Sequence, residues 1–266
     1  MRPGPANRPN RPLIIAHRAV SPGFPENSIA AIVHAAAAGA DLVELDVHRS
    51  LEGVPFLIHD PLLGRVTTGY GPIRLFPAAL LRRARVRQNR EPLPTLAAAL
   101  DALPPELGVG LHLKTLGALR AVLRLVEERN LAQRTWLWLP RARAARYVVA
   151  HAPAIRVTLL NDYARRASTR QRYFRRAAAV GATAVSIDWS VVGAGVIAAA
   201  HAHGLQVFSV NRNPALIPAA IQAGLDGIIT ADPAAARAAV ERALASGTGE
   251  IVAREPGGEI AADAGE

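Results

Sequence analysis

Side chains able to do chemistry collect at the ends of short apolar runs in this chain. His17 and Arg18 follow the run 13–16, Glu44 and Asp46 sit inside 42–47, His59 and Asp60 follow 54–58, and His112 and Lys114 close 109–113. In an extended strand, residues two apart share a face, so Glu44 and Asp46 point the same way, about 6.6 Å apart along the strand. Two like charges on a buried face cost free energy unless they are protonated or paired with cations. A hard divalent ion satisfies both at once; a pair of structural carboxylates bound to arginines is the alternative. His17 and His59 are able to act as base and acid in one displacement, because imidazole titrates near neutrality. His112 and Lys114 share a face in the same way. Lys114 is the sole lysine among 31 basic residues, and a compact ammonium at a strand mouth suits a phosphate oxygen. Asp188 and Trp189 are weaker candidates for lining the same pocket. His34, His48, His151, His201 and His203 are expected on helix surfaces or loops.

The elements that must position these groups alternate. Runs at 13–16, 42–47, 109–113, 135–139, 156–160, 184–187, 206–210 and 227–230 have strand character, with helices expected at 26–38, 116–129, 141–151, up to 180, up to 203, up to 223, and 233–244. Gly204 and Gly224 fall where C-caps belong. Strand–helix alternation over this length predicts a parallel sheet, and eight units fit a closed (β/α)8 TIM barrel with a small connecting insertion after the second strand, between Asp60 and Pro105. An open doubly wound sheet is the runner-up, but no Gly-x-Gly-x-x-Gly turn follows the first strand. The expected organisation is a disordered tail at 1–12, one barrel domain at 13–245 and a flexible tail at 246–266.

Composition narrows the function classes. The chain has no cysteine, so disulfides, thiolate ligands and a cysteine nucleophile are excluded. Its net charge is +10, yet the densest basic stretch, 81–90, carries no aromatic residue and reads as a solvated face; no nucleic-acid partner is expected. No apolar run reaches the ~18 residues of a membrane span, and no signal-peptide core is present, so a cytoplasmic protein is expected.

The same residues also resemble a known family. Ile15-Ala16-His17-Arg18, Pro25-Glu26-Asn27-Ser28, Gly39-Ala40-Asp41, Glu44-Leu45-Asp46-Val47, His59-Asp60, Lys114, Val210-Asn211 and the run from Gly224 to Thr230 together resemble the glycerophosphodiester phosphodiesterase family. The resemblance implies a barrel that hydrolyses glycerophosphodiesters to glycerol 3-phosphate and an alcohol. His17 and His59 would be the acid–base pair, Glu44 and Asp46 the ligands of Mg²⁺ or Ca²⁺, and Arg18 and Lys114 the phosphate clamp. Asn27 would belong to the turn before the first helix. Four departures stand out. His112 replaces the usual third metal-binding glutamate, which favours Mn²⁺, Co²⁺, Ni²⁺ or Zn²⁺ over Ca²⁺. Ala19 replaces a glycine, a substitution that stiffens the loop if positive φ is used there. Phe208 replaces a tryptophan of the substrate wall, keeping an apolar surface but losing a donor. Glu52 replaces an aspartate. The expected partner is a small glycerophosphodiester or a lysolipid; a lysophospholipase D or sphingomyelinase-D-like activity and a non-catalytic phosphate-ligand binder are the alternatives.

Overall fold

The computed structural model describes residues 11–20, 22–160, 167–211 and 213–246. The expected tails fall outside these residues except for Arg11, Pro12 and Ser246. Eight strands run parallel: β1 (Leu13–Ala16), β2 (Leu42–Arg49), β4 (Gly108–Leu113), β5 (Thr135–Leu139), β6 (Arg156–Leu160), β7 (Ala184–Ile187), β8 (Gln206–Val210) and β9 (Gly227–Thr230). Each pairs with the next, and β1 pairs with both β2 and β9, which closes the sheet into the expected (β/α)8 barrel. A short strand β3 (Pro55–Leu57) folds back antiparallel on the far end of β2, with Val47 opposite Leu57. Helices α1 (Ile29–Ala37), α4 (Leu119–Glu128), α5 (Ala142–His151), α6 (Ala167–Ala179), α7 (Ala194–His201), α8 (Ile217–Gln222) and α9 (Pro233–Ala245) follow barrel strands; the short α2 (Ala78–Leu81) and α3 (Leu96–Asp101) belong to the segment between β3 and β4.

Strand residues alternate between two cores. Val43, Leu45, Leu111, Leu137, Val157, Val185, Val207 and Ile228 face the helices and join one large buried cluster. Ile15, Leu42, Trp136, Trp138, Ala184, Phe208 and Ile229 face inward and fill the barrel. Both faces are buried, which is why these strands read as unbroken apolar runs. Glycine makes the interior fit: a Cβ added at Gly110 would collide with the Trp138 ring, and one at Gly227 would meet Phe208. A third, smaller cluster of Phe56, Ile58, Leu63, Ile73, Leu81 and Leu93 holds the insertion together.

Helix starts follow local chemistry. Ser28 Oγ accepts from Ala31 N–H at 3.1 Å and begins α1 at Ile29, three residues later than periodicity alone suggests, because Asn27 is left-handed (φ 56°). Gly204 and Gly224 adopt φ of +71° and +84° just past their helices, as C-cap positions require.

The strand N-terminal end of the barrel is locked by one carboxylate. Asp41 accepts from both guanidinium nitrogens of Arg11 (2.8 and 2.9 Å), from Ile14 N–H (2.8 Å) and from Arg237 of α9 (2.9 Å). It thereby ties together the chain entering β1, the start of β2 and the last helix. Burial pushes its pKa up, but Arg11, the Ile14 N–H and Arg237 outweigh burial and hold the carboxyl below its ordinary range. A depressed carboxyl pKa contributes stability above the unfolded value, and that stability disappears as pH falls through the folded one. Asp41→Ala should therefore cost about 2–4 kcal/mol at pH 7. In urea unfolding, the gap between wild type and variant should narrow below pH ~4; an equal gap at pH 3 and pH 7 contradicts this reading.

Candidate active site

The strand C-terminal ends of the barrel carry the polar residues singled out in the sequence. Glu44, Asp46 and His48 alternate along β2 toward the interior at 4%, 1% and 7% exposure. Register sets Gly110 beside Glu44 and His112 beside Asp46. As a result His112 Nδ1 lies 3.5 Å from both Glu44 Oε1 and Asp46 Oδ1, and one donor atom from each of the three lies within 4.8 Å of the others. Two carboxylate oxygens and one imidazole nitrogen converging in a buried rim are a donor set that suits a divalent cation. Lys114 Nζ sits 3.0 Å from Asp46 Oδ1. Asn27 holds Asp46 from the other side, donating to Oδ2 at 3.2 Å and accepting from its N–H at 2.9 Å. Burial raises the Asp46 pKa, but the charges of Lys114 and His112 and the Asn27 hydrogen bond prevail, so the carboxyl is held below its usual range.

The loop after β1 is tightly turned. Arg18 and Ala19 both have positive φ (54° and 53°), and Val20 N–H donates to His17 O at 3.0 Å. The positive φ raised as a condition for the glycine-to-alanine departure is thus met at Ala19, where a non-glycine residue costs about 1–2 kcal/mol. The turn aims the Arg18 backbone N–H at Glu44 Oε2, 2.8 Å away. Its guanidinium reaches Glu26 (3.0 Å) and approaches Asp46 Oδ2 at 3.6 Å. Glu26 also binds Arg65, Arg65 binds Asp60, and Asp60 Oδ1 lies 2.6 Å from His59 Nδ1. A chain of charges therefore runs from the His17 loop to the His59 loop. An ionised Asp60 only accepts, so Nδ1 of His59 carries the proton and Nε2 is left for exchange. Burial lowers the His17 pKa; Glu44 and Asp46 oppose this, while Arg18 and His59 reinforce it. The neutral imidazole is favoured. Among the described residues a cavity of about 290 Å³ opens between this loop and the insertion, lined by Phe24, Glu26, Asn27, Arg65, Val86 and Arg87 among others.

His17, Arg18, Glu44, Asp46, His59, His112 and Lys114 thus meet on one rim. Phe208 does not join them. It is wholly buried among Trp136 (ring centroids 5.0 Å apart) and Trp138 (5.9 Å), so it packs the barrel interior rather than forming a wall against substrate. Asp188 accepts from Ser190 N–H at 3.0 Å, capping its own turn. His48, expected on a surface, is instead buried between Thr115 Oγ1 and the carbonyl of His59, each 3.2 Å from one ring nitrogen. Its spacing of two from Asp46 was the signal that pointed inward. His34 stacks on Phe24 and His151 on Tyr147, both at 4.2 Å, while His201 pairs with Asp226.

Comparison with known proteins agrees with this architecture. An uncharacterized protein of Mycobacterium tuberculosis is 36% identical over 124 residues, covering 41% of this chain and 41% of its own length. The chain thus spans about two fifths of that relative. The crystal structure of a glycerophosphodiester phosphodiesterase from Agrobacterium tumefaciens superposes with a TM-score of 0.73 at 26% identity, covering 86% of this chain and 98% of that one. An Oleispira antarctica phosphodiesterase, solved with the product sn-glycerol-3-phosphate, shares the fold with a TM-score of 0.76 at 24% identity, covering 87% and 97%. The model of the glycerophosphoryl diester phosphodiesterase family matches residues 17–235, so the chain that carries this two-carboxylate rim belongs to that family.

Proposed function

We propose that this chain hydrolyses glycerophosphodiesters to glycerol 3-phosphate and an alcohol. The observation that carries the reading is the convergence of two strand-end imidazoles on a pair of buried carboxylates. The product named for the Oleispira antarctica structure and the activity named for the Agrobacterium tumefaciens one fit the same chemistry. Glu44, Asp46 and His112 would hold a divalent cation, which when bound supplies positive charge against the phosphate oxygens. Lys114 and Arg18 flank that position and would clamp the remaining oxygens.

His17, biased toward the neutral form by burial, is the base: it takes a proton from water as the oxygen attacks phosphorus. His59, oriented through Nδ1 by Asp60, delivers a proton from Nε2 to the alcohol oxygen as its bond to phosphorus breaks. His48 positions His59. Burial keeps its ring neutral, and a neutral ring that donates from Nε2 to the His59 carbonyl accepts at Nδ1 from Thr115, so one tautomer satisfies both contacts. An apolar groove beside Phe208 and the 60–105 segment would favour the lysolipid reading; Phe208 is enclosed and offers no such wall, and comparing soluble and lipid substrates decides between them. A non-catalytic binder is distinguished by turnover alone.

Purified protein should release glycerol 3-phosphate from glycerophosphocholine with an added divalent metal and stop on chelation. His17→Ala and His59→Ala should each lower kcat by about 10²–10⁴; absence of product across Mg²⁺, Ca²⁺, Mn²⁺, Co²⁺ and Zn²⁺, or full activity in either variant, rejects the proposal. His48→Ala should reduce kcat about tenfold with KM nearly unchanged, and His48→Gln, whose amide still donates, should recover most of it. His112→Glu should lower the ratio of Mn²⁺- to Ca²⁺-supported kcat/KM by about tenfold, as oxygen replaces nitrogen in the donor set; an unchanged ratio places His112 outside it.

A further inference from the structure

The insertion between β3 and β4 carries two features that the proposed hydrolysis does not use. Of the eight large hydrophobic side chains exposed among the described residues, four lie in this insertion, Leu62 (54%), Tyr70 (75%), Leu75 (53%) and Leu80 (49%), and a fifth, Leu51 (55%), lies in the adjoining β2–β3 turn. They belong to one compact unit. Leu62 bridges to Pro72, Tyr70 lies against Gly64, and Leu51 N–H donates to Phe76 O at 2.9 Å, between Leu75 and the turn that leads to Leu80. The second feature is charge. Residues 51–91 hold seven arginines against three carboxylates, Glu52, Asp60 and Glu91, a net +4. Of these, Asp60 is already paired with Arg65 and His59, and Glu52 accepts from Ser50 Oγ and the Ala78 N–H. Arg74, Arg82, Arg83, Arg87 and Arg90 are exposed. Exposed arginines and exposed aliphatic residues thus occur together on this unit.

Exposed aliphatic side chains cost nothing singly, but several grouped on a cationic unit mark an interaction surface. We infer that the insertion docks this barrel onto an anionic phospholipid surface, with the leucines and Tyr70 entering the headgroup boundary and the arginines meeting lipid phosphates. A single-stranded nucleic acid would call for aromatic stacking platforms, and four of the five exposed side chains are leucine. The unit begins at His59 and Asp60 and contributes Arg65 to the rim, so docking sets the mouth of the barrel beside the lipid. The benefit of that placement rests on the phosphodiester reading; the docking itself does not.

The test is co-sedimentation of the full chain at 0.1 M salt with vesicles of phosphatidylcholine alone or mixed with phosphatidylglycerol, alongside turnover of glycerophosphocholine. Binding should require phosphatidylglycerol. It should weaken about tenfold or more in Arg82→Glu/Arg83→Glu and in Leu62→Ser/Tyr70→Ser/Leu75→Ser, with turnover of the water-soluble substrate unchanged. Leu75→Ser alone should show a smaller loss and stands in if the triple variant does not fold. Arg172→Glu/Arg175→Glu on α6 should bind like wild type. Failure to bind anionic vesicles, undiminished binding by the serine variants, an equal loss in the α6 control, or preference for a DNA oligonucleotide over the vesicles would each overturn the inference. Vesicle binding without any turnover would leave it standing and reject the hydrolytic reading instead.

Discussion

Two carboxylates placed inside a barrel dictate how the rest of this molecule is arranged. Glu44 and Asp46 are almost fully buried on neighbouring inward positions of β2, where desolvation and mutual repulsion both act against ionisation. The fold answers with partners brought from four directions: the Arg18 backbone N–H on Glu44, and Asn27, Lys114 and the His112 ring around Asp46. Removing one partner of such a cluster leaves buried charge uncompensated, which is far more costly than the net contribution of the intact set. That asymmetry explains why residues from β1, the turn before α1, β2 and β4 must all arrive in register before the site exists.

The same demand accounts for the backbone strain near the rim. Arg18, Ala19 and Asn27 all adopt left-handed conformations within one short loop. Asparagine tolerates this region, whereas arginine and alanine do so at a cost. The strain is localised where it turns the Arg18 N–H toward Glu44 and the Asn27 amide toward Asp46. It persists because those hydrogen bonds, and the relay through Glu26, Arg65 and Asp60 to His59, over-determine the loop.

Much of this was legible before any coordinates. Thr135–Leu139, Arg156–Leu160, Ala184–Ile187, Gln206–Val210 and Gly227–Thr230 read as strands to the residue, because burial on both faces leaves an unbroken apolar run bounded by polar or glycine punctuation. Period-two spacing placed Glu44 with Asp46 and His112 with Lys114. It applies equally to His48, although a histidine without a visible partner reads as surface; its partners, Thr115 and the His59 carbonyl, lie far away in sequence or on the backbone. Phe208 went the other way. A family position suggested a substrate wall, but only the packing of Trp136 and Trp138 across the interior shows that the ring has no free face. The Glu26–Arg65 pair spans 39 residues and crosses from the barrel to the insertion, so no local pattern encodes it.

Stability and chemistry occupy opposite ends of the barrel, and the strain at the rim makes sense only in that light. At the strand N-terminal end, Asp41 gathers Arg11, Arg237 and the Ile14 N–H, while Asp226 takes the Val207 N–H at 2.8 Å and His201 at 2.7 Å. Each carboxylate there is matched by donors within the fold, and each joins elements distant in sequence. At the other end, two buried carboxylates and an imidazole share a pocket with Lys114 and Arg18 at its edge. A barrel closed firmly at one end can hold two like charges side by side at the other, because strands fixed in register below cannot relax to relieve the repulsion above. The spacing of Glu44, Asp46 and His112 that would suit a cation is then set by the scaffold as much as by the side chains themselves.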